Sequence, residues 1–488
     1  MDPIHISDLL VATGGGLAGG LDRDAVFNRV VIDSRRVERG DVFWALAGTE
    51  RDGHDYVRDA CHRGAACCVV NAKYDNWSGP VVTVDETGAA LTRFARWYRE
   101  QLEPLVIGVT GSVGKTTTRE MIHAALSAEH RGIRSIANYN NEIGLPLSLL
   151  QLEKSHDYAV LEMGACRRGD IQALCDVAHP EVGVITEIAP AHIEKFGGIQ
   201  EIIKTKSELL SALPAHGFAV VNGDCPHART AAAVAPCPVI FVGESDENQI
   251  QATHVRAGQH QLSFTVRGFE YHIPVSGRHN LTAALCAVAV ATEVGMPAER
   301  IAEGLQQFTP PEGRCQIKRI GPWTIIDDSY NANPASMRAA CQLMTAWQTG
   351  NKKIAIVGDM LDREARHYHR ELGKQIAQAD IDCLLAHGDH AHDVIAGAYE
   401  AGMDVHQMAV CPLFESLLMN LDCWLEPGDV LLIKGSRSTR MERVIDWANQ
   451  QREHIDHLDE VRVLALRHQS LNKKTNQTPP RTRVEPKR

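Results

Sequence analysis

The sequence has no C-x-x-C pair, no excess of basic residues and no apolar run of bilayer length. Its 13 cysteines are an odd number scattered over 488 residues, and the adjacent Cys67 and Cys68 have poor geometry for pairing with each other. That usage reads as reduced thiols in a cytoplasmic chain, not as a disulfide framework. Lysine and arginine total 50 against 61 aspartates and glutamates, a formal charge of −11. An acidic balance argues against nucleic acid as the main partner. The longest apolar run, around residues 283–291, falls far short of the roughly 20 residues a spanning helix needs, so no membrane span is expected. Met1-Asp2-Pro3-Ile4-His5 carries an acid early and lacks the basic and apolar stretches of a signal peptide, so none is expected. Hydrophobic residues at 44% and charged residues at 23% exclude collagen-like, mucin-like and wholly disordered classes. No internal repeat is evident.

At roughly 150 residues per domain, the length suggests about three domains, with enough chain to bury several cores without disulfide or metal staples. Residues 1–103 mix short strands (29–32, 41–46, 66–70, 80–84) with helices at 54–63 and 89–100. From residue 105 the pattern becomes apolar strand, glycine-rich turn, long helix. Runs at 105–109, 158–161, 182–185 and 218–221 read as strands buried on both faces, and residues 117–130 as a helix. Alternating strands and helices imply a doubly wound, mainly parallel sheet. Residues 251–274 alternate apolar and polar residues, as antiparallel hairpins do, and an alanine-rich helix follows at 279–294. Thr309-Pro310-Pro311-Glu312-Gly313 is turn chemistry, beyond which α/β alternation restarts with strands at 323–326, 353–357, 383–386 and 430–433. The expected fold class is therefore α/β in three domains. They are a small α/β domain at 1–103, a central phosphate-loop domain at 104–309 and a Rossmann-like α/β domain at 310–465, followed by a disordered basic tail at 466–488.

The strongest motif is Thr110-Gly111-Ser112-Val113-Gly114-Lys115-Thr116-Thr117, set between a buried strand and a helix as a phosphate loop requires. Glycines let backbone N–H groups turn in toward phosphate oxygens, and the helix N-terminus adds its positive dipole end. Lys115 supplies a mobile positive charge and the Thr116 hydroxyl suits Mg²⁺. Val109 stands where the general pattern has its first glycine, so the loop is a G-x-x-G-K-T-T variant. Glu162 ends the strand at 158–161, and His192 follows the strand at 182–185. Both fall at the carboxyl edge of the sheet, where ligands of open α/β sheets gather. A carboxylate there can hold Mg²⁺ directly or through water. Lys206, on a helix after His192, reads on the residues alone as a solvated surface lysine.

These segments together resemble the ATP-dependent Mur ligases of peptidoglycan synthesis. The resemblance rests on the loop itself, Leu161-Glu162-Met163-Gly164-Ala165, Ala191-His192-Ile193-Glu194 and Ser276-Gly277-Arg278-His279-Asn280. Gly313-Arg314, Asp327-Asp328-Ser329-Tyr330-Asn331-Ala332-Asn333-Pro334 and Lys434-Gly435-Ser436-Arg437 complete it, in order from about residue 32 to about residue 444. Three further stretches are similar to the family member that adds D-alanyl-D-alanine to UDP-N-acetylmuramoyl-tripeptide: Asp33-Ser34-Arg35 with Gly40-Asp41-Val42-Phe43, Asp52-Gly53-His54-Asp55, and Asn138-Tyr139-Asn140-Asn141-Glu142-Ile143-Gly144-Leu145-Pro146. One departure follows Val357-Gly358-Asp359-Met360, where the family commonly has Glu-Leu-Gly and this chain has Leu361-Asp362-Arg363-Glu364; His369 and Gly373 keep the downstream pattern.

The resemblance implies a UDP-sugar-peptide domain, a central ATPase and a C-terminal domain that closes over the nucleotide. It implies ATP and two Mg²⁺ ions, with Thr116, Glu162, His192 and a carbamylated Lys206 as metal-holding groups; Lys204 is the competing register for the carbamate. Lys115, His192 and Lys206 are the implied catalytic residues. The residues from Thr110 to Thr117, with Asn280, Arg314 and Asp328, are the implied nucleotide contacts. Ser34, Arg35, Asn140, Asn141, Tyr330, Asn331, Lys434 and Arg437 are the implied substrate contacts, with Arg suited to bidentate phosphate binding. The implied reaction forms an amide through an acyl phosphate, with UDP-N-acetylmuramoyl-tripeptide and D-alanyl-D-alanine as partners, in a cytoplasmic monomer. Another amide ligase of the superfamily (a folylpolyglutamate synthetase or the tripeptide-forming Mur ligase) and a non-catalytic nucleotide-binding cell-wall assembly protein remain the alternatives.

Overall fold

The structure is a computed structural model and describes residues 1–20, 22–48, 50–77, 79–190, 196–360 and 365–453. They form two compact units, residues 1–311 and, among the described residues, 312–360 with 365–453. The expected basic tail and the Leu361–Glu364 departure lie outside the described residues.

The first unit opens with a five-stranded sheet of β1 (Gly16–Ala18), β2 (Val30–Val31), β3 (Val42–Trp44), β4 (Cys67–Asn71) and β5 (Val81–Val84), in the order β1-β5-β4-β3-β2. β2 to β5 run parallel and β1 pairs antiparallel with β5. Helix α1 (Val57–His62) packs on one side of this sheet, its Val57 and Ala60 in a core with Phe43, Cys68 and Val70. Helix α2 (Thr87–Arg99) covers the other, laying Leu91, Phe94 and Ala95 against Trp44. The Trp44 indole is fully buried, so its N–H must find an acceptor; it donates to Thr87 O at 2.7 Å.

The same apolar core runs on into the central sheet. Seven strands, β6 (Leu105–Thr110), β7 (Gly132–Arg134), β8 (Tyr158–Glu162), β9 (Val182–Ile185), β10 (Phe218–Asn222), β11 (Val239–Gly243) and β12 (Ile250–Gln251), pair parallel throughout, in the order β12-β11-β10-β9-β6-β8-β7. β6 lies between β8 and β9, which makes its carboxyl end the point where the winding reverses and a crevice opens. Helices α3 (Lys115–Leu126), α4 (Ile199–Ser211) and α5 (Leu281–Glu293) flank the sheet. α3 was expected over 117–130; it ends at Leu126 because the polar run after it closes in turns, with Glu129 and His130 N–H on Leu126 O. Residues 283–291 are the apolar run noted in the sequence, and every one is buried in α5. Apolar on all sides, α5 is a core helix. The expected hairpins are β13 (Thr253–Ala257), β14 (Leu262–Val266) and β15 (Phe269–Ile273), an antiparallel three-stranded sheet.

The second unit holds a six-stranded sheet of β16 (Gln316–Ile320), β17 (Trp323–Asp328), β18 (Lys353–Val357), β19 (Cys383–His387), β20 (Met408–Cys411) and β21 (Val430–Lys434), in the order β16-β17-β21-β18-β19-β20. Only β16 is antiparallel to its neighbour. Helices α6 (Pro334–Ala346), α7 (Ala365–Gln378) and α8 (Ala391–Glu400) lie on it. α7 and α8 cross closely at Gly373 and Gly397: a Cβ at either would stand 1.9 Å from a carbonyl oxygen of the facing helix. Among the described residues no helix is long and apolar enough to cross a membrane.

Candidate functional site

β6 delivers Thr110 to its carboxyl end, where the Thr110 hydroxyl donates to Met163 O at 2.8 Å. The chain then turns through Gly111 at φ +155° and Gly114 at φ +85° into α3. A Cβ on Gly111 would stand 2.0 Å from Thr186 Oγ1, so only glycine lets the loop lie this close to the end of β9. The loop is fastened there: Ser112 N–H donates to Glu187 O at 2.6 Å, Ser112 Oγ to Ala189 O at 2.8 Å, and Thr186 Oγ1 to Val113 O at 2.6 Å. The first turn of α3 leaves its backbone N–H groups pointing into the loop. Lys115 folds back across it, Nζ donating to Gly111 O at 2.9 Å. Thr117 follows half-buried on α3.

Thr116 Oγ1 donates to Glu162 Oε2 at 2.9 Å, bringing the helix start and the end of β8 together. Glu162 is 2% exposed, and its other oxygen accepts from Asn140 Nδ2 at 2.9 Å. Asn141 instead takes the Gly144 N–H on its side-chain oxygen at 2.9 Å and fixes the next turn. Arg119, absent from the sequence-derived set, also meets this carboxylate: Nη1 reaches Glu162 Oε2 at 3.5 Å and Ala137 O at 2.6 Å, while Nη2 pairs with Glu120 at 2.5 Å. Its signal in the sequence is the spacing, three residues past Thr116 and so on the same helix face. Thr116 and Glu162 offer hard oxygens side by side, a donor set that fits Mg²⁺, which keeps waters and phosphate oxygens as its other ligands. Among the described residues no group of three or more His, Cys, Asp or Glu gathers as a metal cluster, here or elsewhere.

Lys206 corrects the reading made on its residues alone. On α4 it is 4% exposed, among Ile202, Ile203, Leu209 and Leu210. Burial, reinforced by the charge of Lys115, lowers its ammonium from 10.5 to about 7. Its Nζ sits 5.9 Å from the centre of the Phe196 ring. Lys204, the other register, is exposed and paired with Glu201 at 2.7 Å. His192 lies outside the described residues.

Elsewhere in this unit, Asn280 ends the turn Arg278–Asn280 ahead of α5, buried, its Nδ2 on Ser276 O at 2.7 Å. Ser34 is buried in the turn Ser34–Arg36, while Arg35 projects outward and grips Asp33 with a two-pronged pair at 2.9 and 2.8 Å. That guanidinium holds the Asp33 carboxyl at about 2.

In the second unit, Asp328 ends β17 and Lys434 ends β21 beside it. Lys434 Nζ donates to Asp328 Oδ2 at 2.5 Å and to Asn331 O at 2.9 Å, and Cys315 N–H donates to Asp328 Oδ1 at 3.2 Å. The Tyr330 ring carries the Arg314 guanidinium at 4.1 Å and that of Arg437 at 5.9 Å, a cation–π stack at the same strand ends. Asp327, missed in the sequence, is buried against Lys318 at 2.7 Å and Ser329 Oγ at 2.6 Å.

Comparison with known proteins follows this geometry along the chain. The model of the Mur ligase family catalytic domain matches residues 26–99, that of the Mur ligase middle domain residues 109–291, and that of the Mur ligase glutamate ligase domain residues 313–437. The chain is 33% identical over 441 residues to the UDP-N-acetylmuramoyl-tripeptide–D-alanyl-D-alanine ligase of Bacillus subtilis (strain 168), covering 88% of this chain and 95% of that protein. The crystal structure of MurF from Acinetobacter baumannii superposes with a TM-score of 0.82 at 30% identity, over 92% of this chain and 99% of that one. The MurF ligase of Thermotoga maritima in complex with ADP gives 0.76 at 27% identity, over 88% and 98%.

Proposed function

The chain belongs to the Mur ligase family, and from that premise we propose that it joins UDP-N-acetylmuramoyl-tripeptide to D-alanyl-D-alanine while ATP is cleaved to ADP and phosphate. It is an ATP-dependent ligase of peptidoglycan precursor synthesis. The observation that carries the reading is the phosphate loop whose Thr116 hydroxyl meets the buried Glu162 while Lys115 lies folded across it. Phosphoryl transfer asks for positioning and charge neutralisation more than for covalent help from the protein.

The terminal carboxylate of the tripeptide attacks the γ-phosphorus of ATP, forming an acyl phosphate and releasing ADP. The neutral amine of D-alanyl-D-alanine then adds to the acyl carbon, and the tetrahedral adduct expels phosphate and loses a proton to give the amide. The N–H groups of the residues from Thr110 to Thr117 bind the β- and γ-phosphates, and Lys115 swings from Gly111 O onto the charge that develops there. Thr116, Glu162, His192 and Lys206 would hold Mg²⁺, which when bound neutralises phosphate charge. Lys206 reaches this role as a carbamate: with its ammonium lowered to about 7, a substantial neutral fraction exists near neutral pH to add to CO₂ and release one proton, turning a cation into an anionic oxygen donor.

Asn280 orients the adenine, and Arg314 and Asp328 the phosphates and ribose. Ser34 and Arg35 hold the UDP group. Asn140, Asn141, Tyr330, Asn331, Lys434 and Arg437 order the peptide substrates. Residues 1–103, 104–309 and 310–465 are the corresponding functional divisions, and the chain works as a cytoplasmic monomer.

The test is phosphate release with Mg-ATP, UDP-N-acetylmuramoyl-tripeptide and D-alanyl-D-alanine, each omitted in turn. Release that needs all three, with a product heavier by one dipeptide, is the expected result; Lys115→Ala abolishes it. Release with another acceptor only would move the substrate, and near-normal turnover of Lys115→Ala would sink the phosphate-loop assignment.

A further inference from the structure

All 13 cysteines are free thiols, and most of the buried ones are isolated in apolar cores. Two are not. Cys61 on α1 and Cys68 on β4 lie with their sulfurs 3.6 Å apart, in contact. Cys68 is fully buried in the core beneath α1, whereas Cys61 sits at its rim, partly open to solvent. Their order along the chain hides the pair, because the adjacent Cys67 and Cys68 draw attention to each other although strand pleating sends neighbouring side chains to opposite faces. Cys67 belongs to the core on the far side of the sheet and Cys68 to the α1 side.

We propose that Cys61 and Cys68 form a dithiol modification site that takes a low-molecular-weight disulfide such as glutathione disulfide and closes into an intramolecular disulfide between α1 and β4. The geometry assigns the roles. Cys61 is the accessible member and attacks; Cys68, in contact behind it, resolves. The thiol–thiol contact draws the Cys61 thiol down to about 7, while Cys68 is pushed up by that same contact and by burial. The Cys61 thiolate attacks one sulfur of the oxidant and expels one glutathione thiolate, which accepts the Cys68 proton. Cys68 sulfur then attacks Cys61 sulfur and expels the second glutathione. Two protein thiols are oxidised to one disulfide, and one glutathione disulfide is reduced to two glutathiones.

Closing the bond brings the sulfurs from contact to about 2.05 Å and draws α1 toward the sheet. α1 also packs against the Ser34–Arg36 turn, and the Ser34 side chain is the main influence that lowers the Asp59 carboxyl on α1. Resting on the reading of Ser34 as a UDP contact, the oxidised form binds UDP-N-acetylmuramoyl-tripeptide more weakly.

Arg63 lies between the two cysteines, so trypsin separates residues 59–63 from residues 64–73 unless a disulfide links them. The full chain is incubated with glutathione disulfide, its remaining thiols are alkylated, and the digest is read by mass spectrometry before and after reduction. The expected product is the linked pair of peptides, lighter by two hydrogens and split by reductant. Cys68→Ala instead accumulates a single glutathione on Cys61, and Cys61→Ser gives neither product. Wild type that stops at glutathionylated Cys61, or alkylates there without ever linking, overturns the site, and so does a link that survives in Cys68→Ala and therefore runs through Cys67. The oxidised enzyme should show at least a threefold higher KM for the UDP substrate with kcat unchanged. A formed link with an unchanged KM overturns the coupling to Ser34 alone, and the peptide map stands whether or not the chain turns over that substrate.

Discussion

Asp328 and Lys434 are register partners on adjacent parallel strands, and the lysine ammonium donates to the aspartate carboxylate at 2.5 Å. They are 9% and 1% exposed, so each charge depends on the other. Burying one charge unpaired costs far more than the pair gains, and removing one partner of such a pair costs about 3–5 kcal/mol. Asp328→Ala should therefore lower the thermal transition of the full chain, as the lysine is left with only the neutral Asn331 carbonyl. Asp328→Asn with Lys434→Met, which removes both charges at similar volume, should regain most of that loss. Calorimetry of the single and double variants checks it; equal losses would show that the charges are not the source.

Lys204 and Lys206 differ by two residues and in almost every physical respect, one solvated and paired with Glu201, the other buried in the field of Lys115. Lys206→Ala should lose nearly all activity and recover part of it with added formate or acetate, which can place a carboxylate where the carbamate would be. Lys204→Ala should stay within about twofold of wild type, because exposed pairs of this kind contribute little. Steady-state turnover with and without the short acids decides, and full activity of Lys206→Ala would remove the carbamate role.

The same lysine shows where the sequence can be read and where it cannot. The buried strands at 105–110, 158–162 and 182–185 announce themselves as apolar runs, and the glycines after β6 announce the phosphate loop. Lys206 reads as a surface residue by its type, yet it lies four residues after Ile202 and three before Leu209, the spacing of the buried face of α4. Position outweighed identity there. β1 and β7 are three residues each and too short to show a period, so only their partners reveal them. The Asp328–Lys434 and Cys61–Cys68 meetings depend on which strands and helices become neighbours, and spacing along the chain does not encode that.

Arg119 is buried at 2% exposure, and its guanidinium links Glu162, Glu120 and the Ala137 carbonyl. It thereby holds the Glu162 carboxylate beside Thr116. Losing a group that orients a ligating carboxylate typically costs 10–100-fold in activity or metal affinity. Arg119→Met should fall in that range, and Arg119→Met with Glu162→Gln should be little worse than Glu162→Gln alone, because both remove the same oriented carboxylate. Rates measured across a Mg²⁺ series give the cycle. Fully additive losses would place the effect of Arg119 elsewhere.

His123 predicts how stability depends on pH. Partial burial, with the charges of Arg134 and Arg119, lowers its imidazole from 6.5 to about 4, and its Nδ1 lies 2.9 Å from the Tyr158 hydroxyl. Between about pH 4 and 6.5 the unfolded chain holds a proton here that the folded chain lacks. Stability therefore rises with pH across that window, is complete above it, and is lost as pH falls through it. His369 is lowered by burial as well, so its slope adds to that of His123. His123→Asn keeps a polar partner for Tyr158 but cannot take up the proton. Its thermal midpoint should fall less steeply between pH 6.5 and 4 than that of wild type, by up to one proton taken up on unfolding near pH 5. Parallel curves would mean that His123 takes up its proton equally in the folded and unfolded chains, contrary to its half-buried place on α3.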